Sequence, residues 1–318
     1  MASQWLRRGW LVAGASALLL AACGGGSVES EFTPSRIVAF GDAMADLGQN
    51  GSRYTVNDGS VNNWTQFVAD SYGRPLAASS AGGYSYATGN ARVVAEPDAG
   101  GLTSTPTVKE QIDTFLATAT PTALDLVIVN AGTSDLIVQA EAARSGAQTR
   151  DQMIAAVELA ARELAAQVRR LVNAGATHVV VVPPINLGRT PWAVETGEST
   201  LFETATREFN TELLVRLEDL GDKLLYVDAE REFNVYYSNA AGYDLGVVTV
   251  PACTSIDSGD PDTGIGTGGG QVDSSECGAG DVRESTYNRY LFADRVYPTP
   301  HAHRLFGDFA QARIKERW

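Results

Sequence analysis

Short runs of almost uninterrupted apolar residues, each followed by a longer segment with helical spacing, recur along this chain of 318 residues. Leu124-Asp125-Leu126-Val127-Ile128-Val129-Asn130 is bounded by Pro121 and Gly132, and His178-Val179-Val180-Val181-Val182 is closed by Pro183 and Pro184. A strand apolar on both faces must be covered on both, which is the pattern of a buried parallel strand. Ile37-Val38-Ala39-Phe40 and Lys223-Leu224-Leu225-Tyr226-Val227-Asp228 read as two more strands. Ile154, Val157, Ala161, Leu164, Val168 and Leu171 recur at helical spacing and stop at Asn173-Ala174-Gly175. Phe202, Phe209, Leu213 and Leu217 share one face of a second helix, with Ser199 as its expected cap, and His303 to Ile314 predicts a closing helix. Strands alternating with helices predict a single α/β domain, a parallel sheet flanked by helices, over residues 36–318. Ligands of such sheets bind beyond the carboxyl ends of the strands. The segments Gly41–Gly48 and Gly132–Asp135 fall at that edge.

The N-terminus reads as an address. Arg7 and Arg8 precede an apolar run from Trp10 to Leu20, followed by Leu20-Ala21-Ala22-Cys23. This is a charged start, an apolar core too short to span a membrane as a mature helix, and small residues before a cleavage point. Leu-Ala-Ala-Cys resembles the bacterial lipobox, which implies removal of residues 1–22 and acylation of Cys23; the plainer alternative is secretion with a chance cysteine. Residues 23–35, rich in Gly and Ser, then form a flexible tether. Gly24, rather than Asp, after the cysteine favours the outer membrane by resemblance to lipoprotein sorting. The expectation is therefore an exported protein, lipid-anchored to a bacterial membrane.

The chain holds 38 acidic against 24 basic residues, for a net charge of −14, and loss of Arg7 and Arg8 makes the body more negative. Such a body disfavours nucleic acid and anionic surfaces as partners. Cys253 and Cys277 are left after Cys23, and in an oxidising compartment they most simply pair, closing an insertion loop over 253–277. The stretch Asp257–Gly264 has calcium-loop composition but lacks the placed Glu of an EF-hand, so it reads as a solvated loop, with a lid over the site as its functional alternative. No metal or other cofactor is expected.

Five segments, in order, resemble the blocks of the GDSL lipase/esterase family, also called SGNH hydrolases. Gly41-Asp42-Ala43-Met44-Ala45-Asp46-Leu47-Gly48 resembles the first block, Gly-Asp-Ser-x-x-Asp-x-Gly. Ser85-Tyr86-Ala87-Thr88-Gly89-Asn90-Ala91 is similar to Asn-Tyr-Ala-x-Gly-Gly-Ala, and Gly132-Thr133-Ser134-Asp135 to Gly-x-Asn-Asp. Val182-Pro183-Pro184-Ile185-Asn186-Leu187-Gly188-Arg189-Thr190-Pro191 is similar to the Pro-Pro-Leu-Gly-x-x-Pro stretch, and Asp294-Arg295-Val296-Tyr297-Pro298-Thr299 to Asp-x-x-His-Pro-Thr. The resemblance implies a flavodoxin-like three-layer fold and hydrolysis of lipid or acyl esters through a serine ester, with histidine as base and aspartate orienting it.

The departures from that pattern fall on the chemistry. Matched residue by residue, the serine is Ala43 and the histidine Tyr297; the oxyanion-hole asparagine is Ser134, and the glycine is Gly89 or Asn90. Asp294 alone of the triad is unchanged, while Asp42 and Asp46 match supporting positions. Losing such a serine removes about a millionfold in turnover in a serine protease. A phenol with an ordinary pKa near 10 is a poor base at neutral pH. Tyr297 is expected to donate its hydroxyl to Asp294, which loses its partner with the histidine.

Two readings follow. One is a non-catalytic relative that keeps a cleft for a lipid, an acyl ester or a glycan. The other is an active esterase or phospholipase with a rearranged site, in which His301, one of three histidines, serves as base; a Ser-to-Ala knock-out of an active enzyme would account for Ala43 alone. His178 and His303 read as structural. Trp64, Trp192, Tyr84 and Tyr86 are candidates both for a ligand groove and for ordinary packing.

Overall fold

The structure is a computed structural model that describes residues 32–258 and 264–318. The leader and Cys23 lie outside the described residues, as does the middle of the Asp257–Gly264 stretch.

Four parallel strands form the sheet in the order β1 (Arg36–Gly41), β2 (Asp125–Asn130), β3 (Val179–Val182) and β4 (Leu224–Tyr226). Their register runs from Arg36 opposite Asp125 to Gly41 opposite Asn130, so the two segments expected at the carboxyl edge leave neighbouring strands side by side. Ser85 bridges Ala39 in parallel on the outer side of β1. The chain thus goes from β1 to one side, then crosses to β2 on the other, which makes the carboxyl end of β1 the switch point where open α/β sheets bind ligands.

Strand residues alternate between two buried clusters. Val38, Phe40, Val127, Val129, Val179 and Val181 face one. Ile37, Ala39, Leu126, Ile128, Val180 and Val182 face the other. The first face is covered by α2 (Val108–Thr118), α3 (Thr133–Arg144), α4 (Arg150–Asn173) and α6 (Ser199–Leu217), the second by α1 (Trp64–Ser71), α7 (Ala229–Ser238) and α8 (Pro300–Arg317). A one-turn helix, α5 (Pro191–Thr196), packs Trp192 into the first cluster. This is the three-layer α/β architecture expected. Among the described residues, no helix is long and apolar enough to cross a membrane.

Two local expectations fail. Ser199 is the first residue of α6 rather than its cap; Glu198 holds the cap position without a side-chain bond. The end of the tether is not a free linker: Phe32 is buried, its amide donates to the Trp318 carbonyl (3.1 Å) and its ring stacks on His178 (3.7 Å between centroids). Ser35 is held as well, its amide donating to the Leu124 carbonyl (2.8 Å). The described chain therefore enters at the amino edge of the sheet, opposite the switch point.

Candidate active site

The sharp turn after β1 is set by backbone sterics. Gly41 has φ +149°, and a Cβ there would lie 1.9 Å from the Asn130 carbonyl oxygen, so only glycine lets β1 pass β2 this closely. Asp42 is fully buried; its carboxylate accepts the Met44 amide (3.3 Å) and the Thr133 amide at the start of α3 (2.8 Å). It clamps the two loops of the switch point together. Burial pushes its pKa up to about 7 against these hydrogen bonds.

Asp46 is also spent on architecture. One carboxylate oxygen accepts the amides of Gly48 (2.8 Å) and Gln49 (3.0 Å), and the other accepts the Gly89 amide (2.8 Å). Burial raises its pKa to about 6. The Gly89 amide, one of two candidates for the oxyanion donor, is therefore engaged. A Cβ on Gly89 would lie 2.0 Å from the Tyr54 ring, so that phenol covers the glycine. Asn90 has φ +61°, the left-handed backbone expected of it, and its side-chain amide donates to the Gly264 carbonyl (2.7 Å).

The structure brings Ala43, Ser134 and Tyr297 together and buries all three, with relative exposures of 1%, 0% and 1%. Ala43 and Tyr297 belong to the first apolar cluster, together with Ile137 and with Ile265 from the insertion. Tyr54 packs edge-on to Tyr297 (5.4 Å between centroids). The Tyr297 and Ser134 hydroxyls lie near each other in this closed space, yet neither meets hydrogen-bond geometry with any group. Burial, with Asp42 and Asp294 close by, raises the Tyr297 phenol well above its ordinary value. It stays protonated and cannot accept a proton as a base.

The expected bond from Tyr297 to Asp294 is absent. Asp294 instead accepts the amides of Val296 (2.7 Å) and Tyr297 (2.6 Å) on one oxygen, and the amide and hydroxyl of Ser274 on the other. An aspartate satisfies the amides two and three residues ahead before any ring reaches it. Ser274 is delivered by the insertion, which the Cys253–Cys277 disulfide closes across a separation of 24 residues. Burial pushes Asp294 up to about 7. The described parts of the insertion are packed in part: Asp257, Ile265, Thr267, Asp273 and Ser274 are buried and Gly264 covers Asn90, while Thr254, Ile256, Ser258 and the glycines at 268–270 are exposed.

His301 does not face this site. Its Nε2 is 2.9 Å from the Tyr243 carbonyl oxygen, to which the protonated nitrogen donates. His303 is buried, its Nδ1 accepting the Trp64 amide (3.3 Å), and burial lowers its pKa to about 3. His178 stacks at the amino edge. Trp64 and Trp192 are fully buried and form no groove; Tyr84 is exposed, and Tyr86 stacks on Phe40. Among the described residues, no cluster of three or more His, Cys, Asp or Glu could hold a metal ion. Tyr54, Ile265 and Ser274, which fill and cover the site, were not anticipated; each reaches it through tertiary contact alone.

The buried carboxyls predict a pH dependence. Asp42, Asp46 and Asp294 all have pKa values raised by burial, so the stability they lend is complete below about pH 4 and is lost as pH rises towards 6–7. His303 acts oppositely, its contribution being lost as pH falls from 6.5 towards 3. At about 1.4 kcal/mol per unit for each group, three carboxyls outweigh one imidazole. The melting temperature is expected to rise as pH is lowered from 8 to 5; calorimetry showing it flat or falling contradicts this.

No curated protein is similar enough in sequence to be matched. Two solved structures are matched, at low identity. Phospholipase A1 from Streptomyces albidoflavus NA297 matches at 15% identity, with a TM-score of 0.44, over 88% of this chain and 98% of that one. An extracellular lipase from Streptomyces rimosus matches at 17% identity, with a TM-score of 0.37, over 63% of this chain and 82% of that one. The model of the GDSL-like lipase/acylhydrolase family matches residues 37–309, nearly the whole of the folded domain, and the chain belongs to that family.

Proposed function

We propose that this chain is an exported, lipid-anchored member of the family that no longer hydrolyses esters and acts by binding a lipid, an acyl ester or a glycan. One observation carries the loss of hydrolysis, and leaves binding to surfaces outside this closed space: the positions of nucleophile, base and oxyanion donor, Ala43, Tyr297 and Ser134, are buried. A methyl cannot attack a carbonyl, a phenol held above its ordinary pKa cannot take a proton, and a buried cleft admits neither ester nor water. A simple serine knock-out would leave histidine, asparagine and an open cleft around Ala43, and none of these is present. The rearranged esterase is disfavoured because His301 is turned to Tyr243.

The test is turnover of short-chain p-nitrophenyl esters by the purified mature protein. The rate is expected to equal that of buffer, and any rate proportional to protein and independent of contaminants overturns the reading. Ala43→Ser combined with Tyr297→His is also expected to stay at background. The new histidine would find Asp294 occupied by Ser274, and the Gly89 amide would remain on Asp46. Recovery of activity would mean that the cleft opens readily.

A further inference from the structure

A pocket of about 250 Å³, lined by Thr88 and Gln111 but by none of Ala43, Ser134 and Tyr297, opens at the carboxyl edge of β1. We propose that this pocket binds a single uncharged sugar ring. The inference rests on the reading that the chain binds rather than turns over its ligand, and it names the ligand class and the place.

The pocket is built rather than incidental. Gln111, from α2, is buried and grips the end of β1 from both sides, accepting the Gly41 amide (2.9 Å) and donating to the Gly41 carbonyl (2.9 Å). The Thr88 amide donates to the same carbonyl (3.1 Å), and the Thr88 hydroxyl to the Tyr86 carbonyl (3.0 Å). On the opposite wall, the Gln49 side-chain oxygen accepts the Ser79 hydroxyl (3.2 Å) and the Ser80 amide (3.1 Å). Tyr86 is fixed by stacking on Phe40 (5.5 Å, 19° between planes). Walls held in this way cost little ordering when a ligand arrives.

The chemistry of the lining selects the ligand. In a chain with 38 acidic and 24 basic residues, none of the residues around this pocket is an acid or a base of that kind. An ion entering it would lose water and find no countercharge. The rim offers carboxamide and hydroxyl groups from Asn50, Ser80 and Thr114, which both donate and accept, as sugar hydroxyls do. Tyr86 and Pro106 present apolar surface of the kind that lies against the C–H face of a sugar ring. The volume is below the roughly 300–1,000 Å³ of sites for drug-sized ligands, which suits a single ring.

The experiment titrates the mature chain with glucose, galactose, xylose, N-acetylglucosamine and, as the charged control, glucuronate, following backbone and side-chain amide resonances. At least one neutral sugar is expected to shift Ser80, Thr88 and the Gln49 carboxamide saturably, in the millimolar range natural to so small a ligand. Glucuronate should bind about tenfold more weakly or not at all, roughly the discrimination of one unpaired charge. Ser80→Trp and Thr114→Arg, both at exposed positions that fill or charge the mouth, should abolish the shifts and leave the melting temperature unchanged. Absence of shifts with every neutral sugar, shifts that persist in both variants, or tighter binding of glucuronate would each overturn the proposal. Ester turnover separates the two readings: a silent protein that ignores sugars sinks only this one, whereas a hydrolytic protein sinks the reading beneath it.

Discussion

Tyr297→Ala is expected to destabilise the protein by about 3–5 kcal/mol, the range for removing a large buried aromatic side chain. The ring is 1% exposed, lies among Ala43, Val296 and Ile265, and packs edge-on to Tyr54. Its truncation leaves a cavity in the middle of the first core cluster, where the fixed end of the sheet prevents collapse. Tyr297→Phe separates packing from polarity. The hydroxyl is buried without a hydrogen-bond partner, so replacing it by hydrogen removes a desolvation penalty, and stability should be unchanged or raised by up to about 1 kcal/mol. Urea denaturation of both variants makes the comparison. A phenylalanine variant that loses more than about 1 kcal/mol would mean that the hydroxyl has a partner after all. An alanine variant of native stability would mean that the position is a cleft and not a core.

Removing the Cys253–Cys277 disulfide, as Cys253→Ala with Cys277→Ala, is expected to cost about 3 kcal/mol by freeing the loop in the unfolded chain. The folded state should change as well. The insertion carries Ser274 to Asp294, Ile265 into the core and the Gly264 carbonyl to Asn90. Both sulfurs are buried, so the variant also leaves a small void beneath this cover. Hydrogen exchange should quicken at the Ser274, Val296 and Tyr297 amides, which donate to Asp294, while the amides of β2 and β3 stay protected. If exchange at these three amides matches that of the disulfide-bonded protein, the insertion does not hold the site shut.

Much of the fold was legible because strand and helix periodicity survive in the sequence. The runs at Leu126–Val129 and Val179–Val182 become the central strands, and the helical spacing from Ile154 to Leu171 lies within α4. Each signal is local and repeated, so tertiary context has little to override. The cap of α6 was misjudged by one residue, since Ser199 suits a cap chemically but Glu198 takes the turn. The positions of the candidate site were legible through the ordered blocks, Ala43, Ser134 and Tyr297 among them. Their surroundings were not. Tyr54 reaches Gly89 across 35 positions, Ile265 enters the core from a Gly-rich loop, and Ser274 meets Asp294 through a side-chain bond. No spacing rule encodes such contacts. Asp294 accepts the amides of Val296 and Tyr297 on one oxygen, and the tertiary contact with Ser274 takes the other from the Tyr297 hydroxyl.

The most direct measurement is the intact mass of the native protein after exposure to a fluorophosphonate, a reagent that bonds covalently to an activated serine. The account predicts no adduct, because Ala43 offers no nucleophile and the Ser134 and Ser274 hydroxyls are buried where the reagent cannot reach them. A stoichiometric adduct would show an accessible, activated hydroxyl in this chain and would contradict the claim that its acyl-transfer site is closed.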